Sequence, residues 1–122
     1  MHRLLFIVAV FCGFAALAIA ETRPEPETRA IFLVHPGPVN PPGKSLTENP
    51  QIRDHAMHMV KLFKTGKMTR GGPFTDGTGG IGIAAKDVTA AELTRLLAED
   101  PAAKAGVIAY EVKTWMVGVG AP

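Results

Sequence analysis

The stretch Asn49–Pro73, NPQIRDHAMHMVKLFKTGKMTRGGP, decides the fold. It reads as one helix that stops at Gly66, then a short strand closed by Gly71-Gly72-Pro73. Asn49 is a favoured N-cap, and Pro50 falls at the first helical position, where its missing N–H costs nothing. At about 100° per residue, Ile52, Ala56, Met59 and Phe63 share one stripe, with Val60 and Leu62 at its borders. Asp54, Lys61 and Lys64 take the opposite side. In this phase His55 lies in the apolar face between Met59 and Leu62. His58 lies at the polar edge beside Asp54, so one imidazole is expected inward and the other in solvent.

Upstream, AIFLVH (30–35) is a continuous apolar run of the kind found in a central strand. His35-Pro-Gly-Pro stops it, and the five prolines between positions 36 and 50 mark a long, stiffened surface loop. Such a loop is either functional or a plain spacer. ETRPEPETR (21–29) alternates charge and proline and is expected to be a disordered leader. Residues 1–20 have the form of a signal peptide. A short positive start leads into an uncharged run from Leu4 to Ile19, and the small Ala18 and Ala20 set the cut after Ala20.

Downstream, Asp76-Gly77-Thr78-Gly79-Gly80 is a hairpin turn and Ile81–Ala85 the returning strand. Thr89-Ala-Ala-Glu92 is a capping box opening a second helix, buried through Leu93, Leu96 and Leu97. Asp100-Pro101 can cap a short further turn that Gly106 closes, and Val107–Trp115 alternates as a strand with Ile108, Tyr110 and Val112 on one face. The order strand, helix, strand, strand, helix, strand is the βαββαβ pattern of a ferredoxin-like α+β fold, an antiparallel sheet with both helices on one face. The uncovered sheet face then calls for a second copy, so a homodimer is expected.

Cleavage would leave 102 residues, enough for one domain spanning 30–118. The single cysteine, Cys12, leaves with the signal, so export to a periplasmic or extracellular space needs no disulfide framework. Loss of Arg3 brings the charge to about +1, and no basic patch interleaved with aromatics is present, which excludes nucleic acid. No membrane association is expected after signal removal. The glycine-rich turn lacks a following Lys-Ser/Thr, so no nucleotide or other cofactor is expected. No metal site is expected from His35, His55 and His58, whose placement does not converge.

These pieces together resemble the YCII-related domain family. The resemblance rests on the first strand with HPGP (35–38), RDHAMHM (53–59), Gly66, GGP (71–73), the glycine-rich hairpin, and AEDPAAKAGV (98–107) running on to Trp115. It implies a dimeric ferredoxin-like fold similar to that of muconolactone isomerases. It also implies a pocket with a catalytic histidine–aspartate pair, which falls here on His55 and Asp100. The export signal and the proline-rich loop depart from the usual small cytosolic member, and no substrate is carried over.

The chemistry expected of the pair is proton transfer on a small aromatic or enolic molecule, isomerase- or lyase-like. A histidine is the side chain suited to general-base work near neutral pH, and a carboxylate on the far nitrogen of His55 would fix its tautomer. His35, Gly72 and Pro73 are the candidate substrate contacts. Arg53 and Arg70 are candidates for binding an anion, with surface charge as their ordinary fate. Trp115 and Phe74 are assigned to core or dimer interface. Asp100 is also explained by capping alone. A binding module that only sequesters a ligand, and a purely structural homodimer, both stay open at this point.

Overall fold

The computed structural model describes residues 23–120 together with Val10, Cys12 and Gly13; the rest of the expected signal segment lies outside the described residues. Strand β1 (Thr28–Pro36) is interior, between β3 (Gly80–Ala84) and β4 (Ile108–Met116), and β2 (Met68–Pro73) pairs with the far edge of β3. All three pairings are antiparallel. The order β2-β3-β1-β4, with α1 (Ile52–Lys64) and α2 (Ala90–Ala98) as crossovers, makes an α+β protein compatible with the expected ferredoxin-like pattern. A short helix, α3 (Pro101–Lys104), follows α2.

Period-two alternation explains how the sheet divides. Ala30, Phe32 and Val34 of β1 are buried in the core with Ala84, Ile108, Leu62, Leu93 and Leu97. Phe32, Leu93 and Leu97 are almost wholly enclosed, and each such side chain contributes about 1.5–3 kcal/mol by burial. Phe32 lies across β3 at Gly82, where any Cβ would fall inside the phenyl ring. β1 opens at Thr28, so it takes in the last two residues of the segment expected to be a disordered leader. Thr28 is held opposite Met116, and the Val117 N–H donates to the Glu27 carbonyl at 2.8 Å.

Local signals account for the helix ends. The Asn49 side chain accepts from the Gln51 N–H at 3.0 Å, so it caps a first tight turn before the regular helix begins at Ile52. Gly66 takes φ 74° just beyond α1, the left-handed conformation that ends helices. Thr89 caps α2 as expected, accepting from the Glu92 N–H at 3.1 Å. The Glu92 carboxylate does not close the capping box; it pairs with Lys67 at 2.9 Å.

The phase of α1 differs from the expected one. Its enclosed residues are His58 and Leu62, flanked by the partly buried His55 and Met59, while Phe63 is 60% exposed and Val60 44%. The helix is turned so that the imidazole of His58 enters the protein, where it donates from Nε2 to the Leu96 carbonyl at 2.8 Å. The expectation of a solvent-exposed His58 is therefore overturned. A hydrogen-bonded imidazole is an acceptable core group, and the apolar pattern alone could not count it as one.

The proline-rich loop is no plain spacer. The Gly37 and Val39 N–H groups donate to the Val107 and Gly106 carbonyls, and the buried Asn40 side chain donates to the Lys44 carbonyl at 3.1 Å. Leu46, in a 3-10 turn (Leu46–Glu48), is 4% exposed and joins the core. Phe74 and Trp115 are 41% and 40% exposed, so neither is a core residue.

Candidate functional site

Three elements converge on one hydrogen-bonded unit. α1 supplies His55, the turn between α2 and α3 supplies Asp100, and β4 supplies Tyr110. Asp100 is placed by its capping role: with φ −63° and ψ 121°, its Oδ1 accepts from the Ala102 N–H at 2.9 Å. Pro101 at the first helical position fixes that geometry. The other oxygen, Oδ2, then faces inward and accepts from His55 Nδ1 at 2.8 Å and from the Tyr110 hydroxyl at 2.5 Å. Asp100 thus serves as both cap and imidazole partner.

The carboxylate has no solvent exposure, and the His55 side chain has 15%. Burial pushes the Asp100 carboxyl up. The hydrogen bonds from His55, Tyr110 and the Ala102 N–H, with the nearby imidazole charge, outweigh it and hold the group below the usual carboxylate range. The Tyr110 phenol is driven far up, first by burial and then by the hydrogen bond to and charge of Asp100. Tyr110 therefore stays a neutral donor. Its oxygen also lies 3.0 Å from His55 Nδ1, and its ring meets Phe32 edge-on at 5.4 Å.

An ionised carboxylate only accepts, so the proton of neutral His55 sits on Nδ1 and the lone pair on Nε2. Nε2 has no hydrogen-bond partner among the described residues, and no buried side-chain nitrogen among them is left unpaired. Nε2 is thus open to solvent. His55 lines a cavity of about 290 Å³ walled by Ile52, Ala56 and Met59 of α1, Leu46 and Thr47 of the loop, and Gly71, Gly72 and Pro73 of β2. Asp100 and Tyr110 stand behind it, away from the wall.

Of the sequence candidates, His55 and Asp100 come together, and Gly72 and Pro73 line the cavity. His35 does not reach it. Val34 faces the cavity, so the next residue along the strand must face the opposite side of the sheet. There His35 Nε2 lies 2.9 Å from Glu111 Oε2. This contact, ahead of the bond and charge from Lys113, holds the Glu111 carboxyl below its ordinary range. Arg53 lines the cavity and Arg70 does not. His35, His55 and His58 occupy three separate environments.

Two parts of the site were missed from sequence. The alternation puts Tyr110 on one face with Ile108 and Val112 and assigns it no role, although a buried tyrosine hydroxyl requires a partner. Leu46 and Thr47 form part of the wall, and an isolated leucine inside a polar, proline-rich loop was the available signal. Comparison with protein-family models, with curated proteins and with solved structures finds no significant match.

Proposed function

We propose that this chain is an exported, homodimeric YCII-like protein that moves a proton on a small aromatic or enolic molecule bound beside His55. The observation that carries the reading is the 2.8 Å contact of His55 Nδ1 with a wholly buried carboxylate, while Nε2 has no hydrogen-bond partner among the described residues and the ring lines a cavity. In the reaction, Nε2 takes a proton from a carbon or hydroxyl of the ligand. The C–H or O–H bond breaks, its electron pair stays on the ligand as an enolate or phenolate, and an imidazolium forms. Asp100 stabilises that imidazolium at Nδ1 without itself being protonated. Return of the proton to another ligand atom completes an isomerisation; departure of a leaving group from the anion completes an elimination.

The reading is tested by incubating the protein in heavy water with a panel of enolisable ketones and phenols and following C–H exchange by NMR. Labelling of at least one compound is expected, abolished in His55→Ala at a temperature where the circular dichroism of the variant is still native. Exchange that persists in His55→Ala overturns the reading, and saturable binding with no exchange replaces it with a sequestering module. Dimer formation is supported by the sheet face opposite the helices, where Ile31, Leu33, Ile81 and Ile83 lie together and Ile81 is 39% exposed. Sedimentation of Leu33→Glu as a monomer, with the wild type a dimer, is the expected result.

A further inference from the structure

The cavity wall has a charge pattern that narrows the ligand. Among the described residues, Arg53 and His55 are its only ionisable lining groups, and no carboxylate lines it. Arg53 makes no ion pair or side-chain hydrogen bond among the described residues, although Asp54 is its neighbour in sequence. Apart from the Thr47 hydroxyl, which lies 2.7 Å from Ser45 Oγ, the lining is aliphatic, methionine, proline or glycine. On α1, helical phase puts Ile52, Ala56 and Met59 along the middle of the wall with Arg53 and His55 at its two edges.

We propose that the pocket takes a planar, one-ring molecule carrying a single carboxylate, with Arg53 as the anion anchor. A guanidinium presents a planar fork that matches a carboxylate, and the apolar wall beside it offers no competing charge. The volume, near the lower limit for ligand cavities, suits one ring with a short substituent. Bound by its carboxylate at the Arg53 edge, such a molecule lays its ring over Ile52, Ala56 and Met59 and brings its other end towards Nε2. The anion anchor stands by itself; only the assignment of the far end to His55 rests on the proton-transfer reading.

The probes are benzoate against benzamide for binding, and 4-acetylbenzoate, whose enolisable methyl ketone lies across the ring from its carboxylate, for exchange of its methyl hydrogens in heavy water. Benzoate should bind saturably to the full chain and at least about tenfold more tightly than benzamide, as one charge-assisted hydrogen bond implies. Arg53→Met, at an exposed position, should erase that preference and raise KM for 4-acetylbenzoate exchange. His55→Ala should keep the preference and lose the exchange. Absence of saturable benzoate binding, equal affinity for the amide, or a preference that survives in Arg53→Met overturns the proposal. A preference that depends on Arg53 with no exchange dependent on His55 upholds the anion site and removes the proton-transfer reading instead.

Discussion

Replacing Asp100 by Asn tests the unit where it is most constrained. Every lone pair that matters is in use: Oδ1 takes the Ala102 N–H, and Oδ2 takes two donors. An asparagine must choose. With its oxygen on Ala102, its NH₂ meets the His55 N–H and the Tyr110 O–H, donor against donor; with the amide reversed, the cap is lost. Hydrogen bonds to a charged acceptor contribute about 1.5–3 kcal/mol each and a cap about 1 kcal/mol, so a net loss of roughly 2–4 kcal/mol is expected. For a domain of this size that lowers Tm by on the order of 10–25 °C, read by circular dichroism.

The pH dependence of that loss follows from the direction of the shift. The folded Asp100 carboxyl titrates below its ordinary value, so its contribution is present above about pH 4 and disappears as pH falls through the lower folded value. The gap between wild type and Asp100→Asn should therefore close in acid. A Tm within about 3 °C of wild type at neutral pH, or a gap unchanged well below pH 4, would refute the assignment of Oδ2 to two donors.

Other outcomes follow from the same geometry. Tyr110 is the chain's only tyrosine, so ultraviolet titration reports it alone: phenolate should appear only as the chain unfolds, with stability falling as pH rises past about 10. Phenolate forming near pH 10 with native circular dichroism would place the hydroxyl in solvent. Gly82→Ala should cost about 1–3 kcal/mol in denaturant unfolding, because the new methyl displaces Phe32; a neutral result would mean the ring does not lie across β3. His58→Ala should cost about 2 kcal/mol through a lost bond to Leu96 and a cavity, while benzoate affinity is retained. Loss of binding without loss of stability would assign His58 to the site.

The order of elements was legible because each has a local cause: capping, turn chemistry or strand alternation. The pairing of His55 with Asp100 and the pocket roles of Gly72 and Pro73 were implied only by the family resemblance, since periodicity alone left His55 equally readable as packing. Asp100 was readable as a cap from the Asp-Pro dipeptide, and the cap is what aims its second oxygen at His55. The phase of α1 was not legible. Ile52, Ala56, Met59 and Phe63 form a real apolar stripe, but most of it walls a cavity and Phe63 points outward, while the buried face includes two histidines. A hydrophobic pattern cannot separate a wall facing a ligand from a wall facing the core. Tyr110 escaped for a related reason, since alternation placed the ring and said nothing of which buried group its hydroxyl would meet. His35 failed on strand parity, with Val34 already committed to the cavity side.

The measurement that bears most directly on the account is the tautomer of neutral His55, read from its ring ¹⁵N shifts in wild type and in Asp100→Asn. In wild type the proton should reside on Nδ1, leaving the Nε2 lone pair at the cavity, and the population should shift toward Nε2–H in the variant. A wild-type ring protonated at Nε2 would leave no base facing the ligand and contradict the account at its centre.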